Sequence, residues 1–218
     1  MASTILFVIM SIIAGLLLLI VSLTASIGAA NISKSTFYNA DQRVRSAHQY
    51  LIITAALGWS SLAVLVIILI VAAIAGGFTR VEVSEALLTK SSPDKSDLLQ
   101  AYRGQKELSS GHTTQIVVLV VLIALTIITF ALAVLTVLAA IQIGGMRRRD
   151  SRANTAYTLA IIAAVAGVGS IAIMIIAVIA YMSVRSAREK QLKETADFVA
   201  RAEAQLGAPS SQTVISAR

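Results

Sequence analysis

The sequence contains no cysteine. That excludes disulfide bonds, thiolate metal sites, a cysteine nucleophile and S-palmitoylation. Its two prolines, Pro93 and Pro209, stand outside the long apolar runs, so no run is broken by a ring that removes a backbone donor. Charge is scarce as well. Only 13% of residues are Asp, Glu, Lys or Arg, against about 25% in a soluble domain. The scarcity is uneven: residues 1–33, 46–79, 108–146 and 153–184 contain no charged side chain of either sign.

Each of these runs exceeds the ~20 residues a helix needs to cross a hydrocarbon core of ~30 Å. A single Asp, Lys or Arg at mid-helix costs roughly 2.5–3.5 kcal/mol on insertion, so their complete absence is a positive signal. The expectation is an all-α integral membrane protein with four transmembrane helices, over about 4–30, 50–77, 115–143 and 155–183. The first span lacks the basic lead-in and the small-residue cleavage motif of a secretory signal and is expected to be retained. Gly76-Gly77 and Gly144-Gly145 end the second and third spans. Ser91-Ser92-Pro93-Asp94 reads as a helix start, giving an extramembrane helix over about 92–108. The fourth span is expected to continue as a helix to about 206, with Glu189–Lys193 and Asp197–Arg201 as favourable i,i+4 pairs. A mobile tail, 210–218, follows.

Residues 41–71 and 150–180 match without a gap at an offset of 109. Asp41, Arg43, Ala47, Ile52, Ile53, Ala55, Gly58, Ser61, Ala63, Ile67 and Ile70 all meet identical residues, 11 of 31. The length of 218 is twice that offset, so the chain reads as two tandem helical-hairpin repeats, 1–109 and 110–218. Each repeat crosses twice, which gives both the same orientation and a parallel pseudo-twofold axis. The first and third spans echo each other only faintly at the same offset, through Val8, Leu16, Leu23, Ala30 and Ile32.

Small residues on one helix face let neighbours approach closely. Gly58, Ser61, Ala163, Gly167 and Ser170 are therefore assigned to helix packing, with the second and fourth spans as an inner pair. Threonines 126, 129 and 136 are expected to bond their own backbone carbonyls. Trp59 lies too deep for an interfacial anchor, and its indole N–H needs a partner. Arg43, Arg45, Arg147, Arg148 and Arg149 flank spans and are assigned to lipid headgroups. With a net charge of +7, the expected partner is a bilayer with anionic headgroups rather than nucleic acid. The short connections, 31–49 and 144–154, hold seven Lys/Arg and two Asp/Glu. They are expected to be cytoplasmic, with both termini on the opposite side.

Catalysis needs convergent ionisable groups, and none is apparent. His48 and His112 lie toward opposite membrane faces, no metal-ligand spacing occurs, and no cofactor is implied. Tetraspanins, claudins and connexins share the span count but carry diagnostic extracellular cysteines, which this chain lacks. The expected function is a non-enzymatic structural membrane scaffold, such as a component of a virion membrane. It would dock other structural proteins or copies of itself, as a homo-oligomer, through its extramembrane helices. Leu192, Val199 and Leu206, seven residues apart, form the expected partner stripe. A small oligomeric channel or transporter is the rival reading. It lacks the intramembrane charges and broken helices that usually mark a solute path.

Overall fold

The computed structural model describes residues 2–74, 94–110, 112–146 and 149–207. Among them are five helices and no strand: α1 (Ala2–Ser33), α2 (Gln42–Ile74), α3 (Lys95–Ser110), α4 (His112–Gly144) and α5 (Ser151–Gly207). Helices α1, α2, α4 and α5 are each long and apolar enough to cross a membrane, as befits a multi-pass membrane protein. Gly76-Gly77, Ser91-Ser92-Pro93, Arg147, Arg148 and the tail from Ala208 lie outside the described residues, as does the side chain of Leu206.

The helices extend past the expected spans. The connection placed at 31–49 is helical from Gln42 onward, because Asp41 caps α2 and nothing in the polar stretch that follows opposes a helix. Val44 and Ala47 in that stretch are buried, at 2% and 0% exposure, so the first turns belong to the packed body.

The chain divides into two compact units, residues 1–71 with 117–182, and residues 72–116 with 183–218. In the first unit, apolarity does not distinguish inside from outside. Val165 is 68% exposed and Ile141 67%, while Ala156, Ala160 and Ala163 are fully buried. Lipid tails are as apolar as leucine, so helices associate by close packing and the small side chains turn inward.

Buried positions recur in steps of three and four along all four long helices, the rhythm of knobs-into-holes packing. On α2 they are Val44, Ala47, Leu51, Thr54, Gly58, Ser61, Leu65 and Ile68. Each has a buried counterpart on α5 109 residues later, from Ala153 through Gly167 and Ser170 to Ala177. On α1 the buried positions from Phe7 to Ile32 coincide with those of α4 from Val118 to Ile143 at an offset of 111. All ten agree: 7, 11, 14, 18, 21, 22, 25, 28, 29 and 32 become 118, 122, 125, 129, 132, 133, 136, 139, 140 and 143. The two-residue difference lies in the connections, which run over 34–41 in one case and 145–150 in the other. The faint echo between the first and third spans at 109 is therefore out of register with their packing.

One cluster draws on all four long helices near the short connections: Ala25, Ala29 and Ile32 with Val44, Ala47 and Leu51, and Ala139, Ala140 and Ile143 with Ala153, Ala156 and Ala160. The second unit has its own small core, in which Ala101 and Leu98 of α3 pack on Phe198, Val199 and Ala202 of α5.

Candidate functional site

The most elaborated polar site joins the two short connections of the first unit. Asp41 and Asp150, 109 residues apart, cap α2 and α5 in the same way. Asp41 Oδ1 accepts from the Arg43 backbone N–H at 2.8 Å, and Asp150 Oδ1 from that of Arg152 at 2.9 Å. Such a cap satisfies a first-turn donor that has no partner within the helix.

Asp150 also reaches across to the other connection. Its Oδ2 accepts from Ser35 Oγ at 2.5 Å, from the Thr36 backbone N–H at 3.2 Å and from Thr36 Oγ1 at 3.4 Å. Arg152 Nη1 completes the clasp by donating to the Lys34 carbonyl at 2.7 Å. The Ser35 hydrogen bond is the main reason the Asp150 carboxyl is held below its ordinary range. The Arg152 and Thr36 amides add to this against a modest desolvation. Among the described residues nothing equivalent reaches Asp41 from the other connection: at the offset of 111 that aligns α1 with α4, Met146 stands where Ser35 does and has no hydroxyl to offer. The shared D-x-R pattern signalled the caps. The bonds to Ser35 and Thr36 had no sequence signal, since they depend on which connections become neighbours.

Nearby, the Tyr38 hydroxyl and His48 Nδ1 share a hydrogen bond at 3.3 Å, with the rings edge to face at 5.1 Å. His48 is thus tied to an aromatic neighbour ten residues before it.

The glycines assigned to packing lie at the tightest helix approaches. A Cβ built on Gly58 would fall 2.4 Å from Ser22 Oγ of α1, and one on Gly167 would fall 3.2 Å from Cβ and 3.3 Å from Cα of Ala133 on α4. Each glycine thus meets the helix preceding its own, and the two are not brought against each other. The closest approaches of these two glycines therefore lie within their own hairpins, while α5 also packs on α1 across the hairpins, as at Gly169 with Leu17. Ala163 packs with Val21, Ala166 and Leu17, and Ser61 and Ser170 are both buried. Trp59 Nε1 donates to Ser26 Oγ at 3.4 Å. Thr126, Thr129 and Thr136 each donate to a carbonyl one turn back, whereas the buried hydroxyls of Ser11, Thr54 and Ser170 have no partner among the described residues.

In the second unit, Val199 is only 7% exposed and packs against Ala101 of α3, so this part of the expected partner stripe is covered by the chain's own helix. Leu192 is half-buried. Tyr102 donates to Glu203 Oε1, and that hydrogen bond with the neighbouring negative charge raises the phenol's titration. Glu189 pairs with Arg185, one turn before it, at 2.9 Å. The apolar surface turned outward on α3 is Leu99, 63% exposed, beside Tyr102.

Of the expected headgroup arginines, Arg43, Arg45 and Arg149 are exposed at the short-connection end. Among the described residues, no group of three His, Asp or Glu side chains is placed to hold a metal ion. No family, curated protein or solved structure matches the chain.

Proposed function

We propose that this multi-pass membrane protein is a non-enzymatic structural scaffold, built from two tandem hairpin repeats, that docks partners or copies of itself through helices outside the membrane. The observation that carries the reading is the filling of the first unit. One continuous stripe of buried side chains runs along each long helix, small residues alternating with large ones such as Leu18, Leu65, Leu122 and Met174, and the four spanning runs contain no Asp, Glu, Lys or Arg. Such an interior packs well and offers no charged path for a solute. The common burial register, 109 for α2 and α5 and 111 for α1 and α4, supports the repeat. A shortening of one connection by two residues then separates the copies.

In this reading α3 and the C-terminal part of α5 are extramembrane. Since Val199 and Ala202 already cover α3 from one side, docking falls to the outer face of α3 around Leu99. Leu99→Asp is expected to abolish association of the full-length protein with its partner or with itself, measured by light scattering and co-purification, while helicity is retained. Undiminished association refutes docking through α3. The short connections are proposed to be cytoplasmic and to meet anionic headgroups. A protease-cleavable C-terminal tag in sealed vesicles reports the side directly, and a tag found on the cytoplasmic face reverses the assignment.

An oligomeric channel is the second reading. The unpartnered buried hydroxyls of Ser11, Thr54 and Ser170 favour it, because they are the polar groups such a path would use. Specific ion flux into liposomes carrying the purified protein, lost in Ser170→Ala, would establish it in place of the scaffold.

A further inference from the structure

The short-connection end of the first unit gathers positive charge from both hairpins. Lys34, Arg43 and Arg45 come from the first, Arg149 and Arg152 from the second, and all five are exposed. They are not independent. Val44, between Arg43 and Arg45, and Ala153, next to Arg152, lie in one buried cluster. The Asp150 bonds to Ser35 and Thr36 and the Arg152 bond to Lys34 O tie the two connections together.

Both carboxylates at this end are already engaged by hydrogen bonds, Asp41 at the α2 cap and Asp150 at the α5 cap and clasp. None of the five cations is in an ion pair among the described residues. Like charges gathered on one end of the unit repel and are relieved by a multivalent anion.

We infer that this face binds a lipid headgroup carrying two phosphates, which bridges Lys34, Arg43 and Arg45 of one connection to Arg149 and Arg152 of the other. The inference rests on the reading of the short connections as lying at anionic headgroups. A single phosphate is satisfied by the cations of one connection. What the clasp adds is a second set, on another hairpin, held beside the first. A bridging headgroup therefore acts as a staple across the two hairpins, with guanidinium groups as the phosphate donors. Lys34 and Arg149 follow, and Arg43, Arg45 and Arg152 open, helices long and apolar enough to cross a membrane, so on the headgroup reading these cations meet a lipid before a soluble anion.

The test uses the full-length protein in zwitterionic detergent, with thermal unfolding and native mass spectrometry as readouts. The probes are diphosphatidylglycerol, phosphatidylglycerol at matched phosphate, phosphatidylcholine and inorganic pyrophosphate. Diphosphatidylglycerol is expected to raise Tm by about 5 °C at a hundredfold excess over Kd and to remain bound as one lipid per chain. Phosphatidylglycerol is expected to give a smaller rise, and the other two probes none.

Arg43→Gln with Arg45→Gln, and separately Arg149→Gln, each reduce the diphosphate response to the monophosphate level. Arg149→Gln leaves every hydrogen bond of the clasp in place, so its effect is not one of misfolding. Equal responses to the two anionic lipids, or retention of the preference in either variant, overturn the bridge but leave the headgroup reading standing. Reproduction of the shift by pyrophosphate overturns the lipid as ligand. No response to any anionic lipid overturns the headgroup reading as well.

Discussion

The two hairpins of the first unit, α1 with α2 and α4 with α5, bury their side chains in the same register but tolerate different contacts at their closest approach. In the first, a Cβ on Gly58 would meet Ser22 Oγ at 2.4 Å with Cβ and Cα behind it at 3.3 and 3.5 Å; in the second, one on Gly167 would meet Cβ and Cα of Ala133 at 3.2 and 3.3 Å. The two notches thus have walls of nearly the same depth, and in the first a removable hydroxyl stands in front of the wall. The hairpins differ too at their connections. The longer one supplies the hydroxyls that bind Asp150, and the shorter one has Met146 at the position of Ser35. A shared burial register, with local chemistry free to differ where the register does not constrain it, accounts for both differences.

The strongest way to break this comparison is to fill both notches. Gly58→Leu and Gly167→Leu are each expected to destabilise the bundle by about 3 kcal/mol or more, the upper end of overpacking costs. Thermal unfolding in detergent measures this, and a neutral result at either position removes the close approach it rests on.

Alanine sharpens the contrast. In Gly58→Ala the clash is with a hydroxyl, so adding Ser22→Ala is expected to recover most of a loss of about 1–2 kcal/mol. The hydroxyl's bond to the Leu18 carbonyl is given up in the process. In Gly167→Ala the Ala133 Cα still stands 3.3 Å away, so adding Ala133→Gly is expected to recover little. Equal rescue in the two hairpins contradicts the difference in their walls.

A smaller effect separates the two caps. Asp41→Asn keeps a capping side chain and is expected to change stability by only a few tenths of a kcal/mol. Asp150→Asn is expected to cost about 1 kcal/mol, since it also weakens the clasp. The pH dependence follows from the depressed Asp150 carboxyl. A carboxylate whose folded titration lies below its unfolded one stabilises the fold at all pH values above the unfolded pKa, near 4. That contribution fades as the pH falls through the folded value. The stability gap between wild type and Asp150→Asn should therefore be constant above about pH 5 and narrow progressively as the pH falls below about 4. A gap that does not narrow on acidification contradicts the ionised clasp.

Much of the frame was legible in the sequence because charge is excluded from the membrane and nothing else so simply empties four runs of it. The facing of the helices was not. In a soluble helix apolarity marks the buried side, but here Val165 on the outside is more apolar than Ala163 on the inside, and on α4 Leu122, Leu125 and Leu132 are buried while Ile127 and Ile141 are exposed, so size marks the inner face on part of α5 and neither size nor apolarity marks it on α4. Size pointed to Gly58 and Gly167 as packing residues and was silent on which helix they meet. The register of α1 and α4 was hidden by the two-residue difference between the connections. Identities at offset 109, such as Leu16 with Leu125, pair an exposed position with a buried one. The seven-residue spacing of Leu192 and Val199 was read as a partner stripe, but such spacing marks a helix contact of any kind, and α3 of the same chain covers Val199.

The central claim is that the two hairpins share one packing register, offset by 109 on α2 and α5 and by 111 on α1 and α4. The cysteine-free sequence makes a thiol cross-linking test clean. A Cβ at Gly15 lies 3.8 Å from Leu62 Cδ1, so Gly15→Cys with Leu62→Cys should be joined by a short bis-maleimide reagent. In the second hairpin, positions 126 and 171 correspond to that pair when the α1–α4 offset is 111, and positions 124 and 171 when it is 109. The account predicts efficient cross-linking of Thr126→Cys with Ile171→Cys and little of Ala124→Cys with Ile171→Cys. The reverse order would contradict it.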